Sequence, residues 1–330
     1  MTDEETRDWT DVEERGVPWL FQSLLTLYKK GVINWWIVQG VMYVIMSVYF
    51  VIDRELREVS LKYLRRLASH RQPDALPPKP GLRHCYWHIL EFGQSVFDRF
   101  ALWIGDRHRY DMTSHGQELI TSLVDRGQGA ILLSFHVGNF YLMRYMAMNR
   151  DIKINIVAYW DHSPMVQELL EYVDPSSQLN VLEVDPSEPR SILDVKDRID
   201  QGELVAILGD RKSAGTSSRD VRVPFLGAPT SLPAGPYIMA HVLDCPVLLT
   251  YALRTGSATY NLYAETFAER VSLPRSTRDE ELEKYATKLS GRMEDICFHA
   301  PYQWFNFYDF WDESDDERQD EHALAEERDG

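Results

Sequence analysis

The stretch Ala130-Ile131-Leu132-Leu133-Ser134-Phe135-His136-Val137-Gly138-Asn139-Phe140-Tyr141 decides how the chain is read. Its first six residues form a short apolar run with one Ser, the pattern of a strand buried on both faces. A histidine ends the run, a Gly-Asn turn follows, and a helical pattern begins. Ligands of open α/β sheets bind at the carboxyl ends of strands, which is where this order puts His136. The turn lets the backbone approach closely, and the helix start offers N–H groups to an anion or oxyanion. The competing reading is a buried, hydrogen-bonded core histidine.

Outward from this stretch, short apolar runs alternate with helical patterns from Gln128 onward. Ile152–Ala158, Leu204–Leu208 and Val247–Leu253 read as buried strands, with Asn180–Val184 and Thr259–Phe267 as weaker ones. Gly138–Arg150, Ser163–Tyr172, Ser187–Gln201, Pro236–Leu243 and Arg278–His299 read as helices. Such alternation predicts an α/β fold, with a central, mostly parallel sheet flanked by helices.

The N-terminal part reads differently. Val32–Ile52 runs 21 residues without a charge, between Lys29-Lys30 and Asp53-Arg54. That is the length of a membrane-associating helix, and its aromatics lie toward the ends as in interfacial belts. A buried core helix has the same composition. A basic amphipathic segment follows, suited to an anionic lipid surface. Pro and Gly then crowd residues 72–81. The organisation expected is an acidic tail (1–14), an N-terminal helical membrane-associating region (15–72) and a Pro-rich linker (73–81). An α/β domain (82–311) and an acidic disordered tail (312–330) complete it. In the helix expected over Leu82–Trp103, His84, His88 and Glu91 share one face at metal-ligand spacing, yet no further ligand motif accompanies them.

Composition narrows the function. Hydrophobic residues make up 44% and charged residues 26% of the 330, which excludes global disorder. The net charge of −16 is concentrated at the ends: −6 over residues 1–14, −8 over 312–330, and −2 in between. No basic face or RNA-binding signature appears, so nucleic acid is not the expected partner. Cys85, Cys245 and Cys297 are odd in number and far apart, which fits a reducing compartment. Gly-x-Ser-x-Gly, the phosphate loop and a dinucleotide Gly-x-Gly-x-x-Gly after the first strand are all missing from the sequence.

The Ser134–Tyr141 string resembles the His-x4-Asp/Glu motif of the lysophospholipid acyltransferase superfamily. The nearest branch holds the late acyltransferases of lipid A synthesis and a predicted bacterial acyltransferase subgroup. Further blocks resemble that branch in the same order: Trp9 with Glu14-Arg15-Gly16, Gly202–Arg211 ending in Asp210, and Val223–Pro229 with Pro233–Pro236. Cys245-Pro246-Val247 and Pro301–Trp311 continue the series.

The resemblance implies an acyltransferase that moves a fatty acyl group from a thioester, on acyl carrier protein (ACP) or coenzyme A (CoA), to a lipid or glycolipid hydroxyl or amine. It implies no metal and no bound cofactor, with acyl carrier protein the expected donor partner. It also implies the bacterial inner membrane as location, with the catalytic domain facing the cytoplasm. By position His136 is the general base. Gly138, Asn139, Arg211, Lys212, Arg222 and Gly235 are candidate substrate-binding residues. One departure matters: the fifth position after His136 should be acidic and is Tyr141. Either catalysis is impaired, leaving a lipid-binding or scaffolding relative, or another carboxylate serves the imidazole. Asp210 is the first candidate, Asp161 the second, and Glu265 a distant third.

Overall fold

The computed structural model describes residues 18–103, 106–146, 153–158, 179–183, 189–211 and 219–311. Four helices come first: α1 (Pro18–Lys29), α2 (Trp35–Ile52), α3 (Arg54–His70) and α4 (Leu82–Trp103). Asn34 caps α2, accepting the Ile37 N–H at 3.1 Å. Asp53 is the single joint between α2 and α3 and caps α3 by accepting the Leu56 N–H at 3.0 Å. One residue thus ends α2 and begins α3, and α3 packs beside α4.

The seven-stranded sheet contains β1 (Asp111–His115), β2 (Ala130–Ser134), β3 (Ile154–Ala158), β4 (Leu179–Glu183), β5 (Leu204–Leu208), β8 (Val247–Arg254) and β9 (Thr259–Ala268). Their order is β1-β9-β8-β2-β5-β3-β4, and every neighbouring pair is parallel except β8 with β9. The remaining two strands, β6 (Asp220–Phe225) and β7 (Ala228–Pro233), form a separate antiparallel hairpin. Helices α5 (Gln117–Asp125), α6 (Pro189–Asp200), α7 (Gly235–Leu243) and α8 (Arg278–His299) complete the described α-helices.

Period-2 alternation splits the core between the two faces of the sheet. Ile131, Leu133, Phe135, Val205 and Ile207 pack with α3, α6, α7, α8 and the hairpin. Ala130, Leu132 and Leu204 pack with α2, α4 and α5. Leu76, from the Pro-rich stretch, is buried in the first of these cores, so this loop is packed against the body.

The sequence places the main strands and the helices at 82–103 and 278–299 correctly, and misses β1 and the hairpin. A correction concerns Gly138–Arg150. Only Phe140–Met146 is helical there among the described residues, and it is a 3-10 helix. The helix expected at Ser163–Tyr172 lies outside the described residues. His84, His88 and Glu91 do not converge. His84 accepts the Gly81 N–H, His88 bonds Ser60 and the Trp304 carbonyl, and Glu91 pairs with Arg254.

Candidate active site

β2 and β5 are parallel neighbours with Ser134 opposite Leu208. His136 and Asp210 each lie two residues farther on, so the register carries them side by side past the carboxyl edge. Gly209 extends the ladder, donating its N–H to the Ser134 carbonyl at 2.8 Å. A side chain at 209 would press on Leu133, whose Cδ1 would lie 2.8 Å from the new Cβ.

The pair is joined twice. The His136 backbone N–H donates to Asp210 Oδ2 at 2.9 Å, and the imidazole Nδ1 lies 2.7 Å from Asp210 Oδ1. Asn306 donates its amide N–H to Oδ2 at 2.7 Å, and its own Oδ1 accepts from Arg211 Nε at 2.9 Å. A line of polar contacts therefore runs Arg211–Asn306–Asp210–His136. The Asp210 side chain is fully buried, whereas the His136 side chain is 20% exposed.

Burial alone would raise the Asp210 carboxyl, but the imidazole and Arg211 outweigh it and hold it below the usual value. Asp210 is thus ionised and can only accept hydrogen bonds. His136 must carry its proton on Nδ1, which leaves the Nε2 lone pair for a substrate. Burial, and after it the charge of Arg211, lowers the His136 pKa against the pull of Asp210. The imidazole is neutral at neutral pH, as a general base requires.

The turn after His136 is held by a loop from the far end of the chain. Phe305 N–H donates to the His136 carbonyl and Gly138 N–H to the Gln303 carbonyl, both at 2.7 Å. Gln303 also brackets Arg254 at the end of β8, accepting its N–H and donating to its carbonyl. Gly138 has φ +52°, and a Cβ there would lie 1.9 Å from the Ala252 oxygen, so this turn requires glycine.

One expectation needs correction. Asn139 is not available to a substrate: it is fully buried, with its side-chain amide 3.3 Å from the Ser95 carbonyl. The N–H groups of residues 136 to 139, which precede the helix start at Phe140, are engaged by Asp210, Phe135, Gln303 and Ala252 in turn. Tightening the strand end into a bonded turn uses these donors internally.

The other candidates separate. Arg211 is in the site through Asn306 and the Phe305 carbonyl. Tyr141 lies in the 3-10 helix, lining a small cavity with Ser134, Phe140 and Thr250. Arg222 is exposed on β6, and Gly235 opens α7, whose Pro236 lies near Gly209. Glu265 belongs to another cluster, bonded by Tyr251 and Arg292. Lys212 and Asp161 lie outside the described residues. Asn306 and Gln303 were not singled out from sequence; the Pro301–Trp311 block held the only signal for them.

Fold and site together define a class: an open α/β protein whose histidine, oriented by a buried carboxylate, presents a basic nitrogen at the carboxyl edge of a parallel sheet. The bacterial lipid A biosynthesis acyltransferase family model matches residues 89–312, more than half of the chain, and the chain belongs to this family. No curated protein matches it in sequence. Among solved structures it is similar to the 1-acyl-sn-glycerophosphate (LPA) acyltransferase PlsC from Thermotoga maritima. Identity is 14%, coverage 78% of this chain and 97% of that chain, and the TM-score 0.31.

Proposed function

We propose that the protein transfers a fatty acyl group from a thioester, carried by acyl carrier protein or coenzyme A, to a hydroxyl or amine of a lipid or glycolipid. The observation that carries this reading is the 2.7 Å contact between His136 Nδ1 and buried Asp210, within a chain of this family. In the proposed reaction Nε2 removes the acceptor's proton as its oxygen or nitrogen attacks the thioester carbonyl. The tetrahedral intermediate collapses to expel the thiolate, which takes the proton back from the imidazolium. Asp210 stabilises that imidazolium while it exists. The chemistry calls on no metal or bound cofactor.

The reading extends to the membrane. Trp35, Val38 and Met42 of α2 are buried, while Trp36, Val44, Val48, Val51 and Ile52 are exposed. At about 1.5 Å per residue α2 is about 27 Å long, and its apolar outer face suits a helix lying in the bilayer interface. We place it at the cytoplasmic face of the inner membrane.

The test is acyl transfer from labelled acyl-ACP and acyl-CoA into a total lipid extract, read by mass spectrometry. A new acylated lipid should form with wild-type protein and not with folded His136→Ala. Full activity of that variant removes the imidazole from the mechanism, and no transfer by wild type sinks the enzyme reading. Flotation with anionic vesicles tests the membrane, where a protein wholly in the soluble fraction would count against α2.

A further inference from the structure

On α4, Arg99 lies one turn after Ser95, whose hydroxyl donates to the Gly138 carbonyl at 2.7 Å. It therefore sits beside the turn that follows His136, and the reaction above does not use it. Its guanidinium lies over the Tyr141 ring, 4.2 Å from the centroid, and 5.8 Å from that of Phe140. Its Nε is buried and makes no hydrogen bond. The neighbouring Asp98 does not serve it, since that carboxylate accepts from Gln94, Tyr110 and Tyr260. Among the described residues no carboxylate pairs with Arg99. Arg99 is half-buried, and a guanidinium stays charged in proteins; one whose Nε is buried and unbonded, with no carboxylate beside it, calls for a partner.

The reaction at His136 supplies one. Attack on a thioester carbonyl breaks its π bond and puts the electron pair on oxygen, so a full negative charge forms beside the imidazole. Enzymes of this chemistry meet that charge with fixed donors. Here the N–H groups of residues 136–139 are all engaged, and Arg211 Nε is taken by Asn306.

We propose that Arg99 stabilises this oxyanion, with Tyr141 as the platform that holds the guanidinium in place. The proposal rests on the acyltransferase reading. As the intermediate collapses, the carbonyl re-forms, the thiolate leaves with the proton from His136, and Arg99 is again without a counter-ion. Stacking on an aromatic face fixes the plane of a guanidinium while leaving its edge for hydrogen bonds.

Arg99→Gln and Arg99→Lys in the full chain, checked for folding by thermal unfolding, test this. For Arg99→Gln we expect kcat to fall about 10²–10³-fold, the loss typical of one oxyanion donor, with KM for both substrates within threefold. The acid limb of kcat/KM should also move to higher pH, because the cation that repels imidazolium is gone. Arg99→Lys keeps the charge at the oxyanion and should hold kcat within about tenfold of wild type. It is also the deciding variant if Arg99→Gln does not fold. A kcat for Arg99→Gln within threefold of wild type overturns the proposal, as does a loss in folded Arg99→Lys greater than a hundredfold. A rise confined to the acceptor KM also overturns it, assigning Arg99 to an anion that the acceptor carries. Should His136→Ala be fully active, the general-base reading fails by itself, whatever Arg99 does.

Discussion

Asp210→Asn changes one oxygen to an amide nitrogen and should nearly silence the site. Oδ2 accepts two N–H donors, from the His136 backbone and Asn306, while Oδ1 accepts only the His136 Nδ1 proton. An asparagine there must keep its oxygen at the two-donor position, or its NH2 group would face two other donors. Its NH2 then points at Nδ1, which must become an acceptor. The ring proton moves to Nε2, and the lone pair that takes the substrate proton is lost. The same exchange in Ser-His-Asp triads costs about 10⁴-fold through the wrong tautomer. Because His136 is partly exposed and water can compete for its ring, we expect about 10²–10⁴-fold in kcat/KM, or about 2.7–5.4 kcal/mol of barrier. Steady-state transfer from a labelled thioester gives the rate, and 15N spectra of histidine-labelled protein give the tautomer, with His136→Ala assigning the signal. Activity within threefold of wild type, or a ring still protonated at Nδ1, would refute the reasoning.

Asn306→Ala removes one of the two donors on Oδ2 and the link to Arg211. We expect kcat to fall about tenfold, about 1.4 kcal/mol, with KM little changed in steady-state assays; an unchanged kcat would reduce Asn306 to packing. The pH dependence follows from the depressed imidazole: the base works when neutral, and its pKa lies below the ordinary 6.5. Activity should be complete at neutral pH and fall only as pH drops through a midpoint below 6.5 in a kcat/KM profile. A midpoint at or above 6.5 would contradict the burial and the Arg211 charge that depress it.

The sheet was legible because buried parallel strands announce themselves as unbroken apolar runs such as AILLSF and LVAIL. Edge strand β1, with sequence DMTSH, carries no such signal and is held by pairing with β9. The hairpin was hidden by the prolines at both of its strands. His136 was legible as a strand-end histidine before a glycine turn, and Asp210 as its counterpart on a second strand. Their register was not, because nothing local says that Ser134 lies opposite Leu208. Asn306 and Arg99 escaped for the same reason: one sits 96 residues from Asp210 and the other on α4, near its C-terminal end, and only the closed fold brings them in.

Tyr141 is where family pattern and structure lead to opposite expectations. Restoring the family's acid by Tyr141→Glu should rescue a site that lacks a carboxylate, raising turnover. In this structure the imidazole already has its carboxylate, and what Tyr141 touches is Arg99. A glutamate at 141 would lose the ring under the guanidinium and put a negative charge where the cation waits for one. An Arg–carboxylate pair in a partly buried setting forms strong, charge-assisted hydrogen bonds, and it would compete with the oxyanion for the same donors. It would also favour the imidazolium, pushing the acid limb of the pH profile upward. We therefore expect Tyr141→Glu to lower kcat by about tenfold or more, about 1.4 kcal/mol at least, while Tyr141→Phe, which keeps the ring, stays near wild type. Single-turnover rates with a labelled thioester separate the outcomes. Faster transfer by Tyr141→Glu would mean that Asp210 does not supply the charge that the base needs.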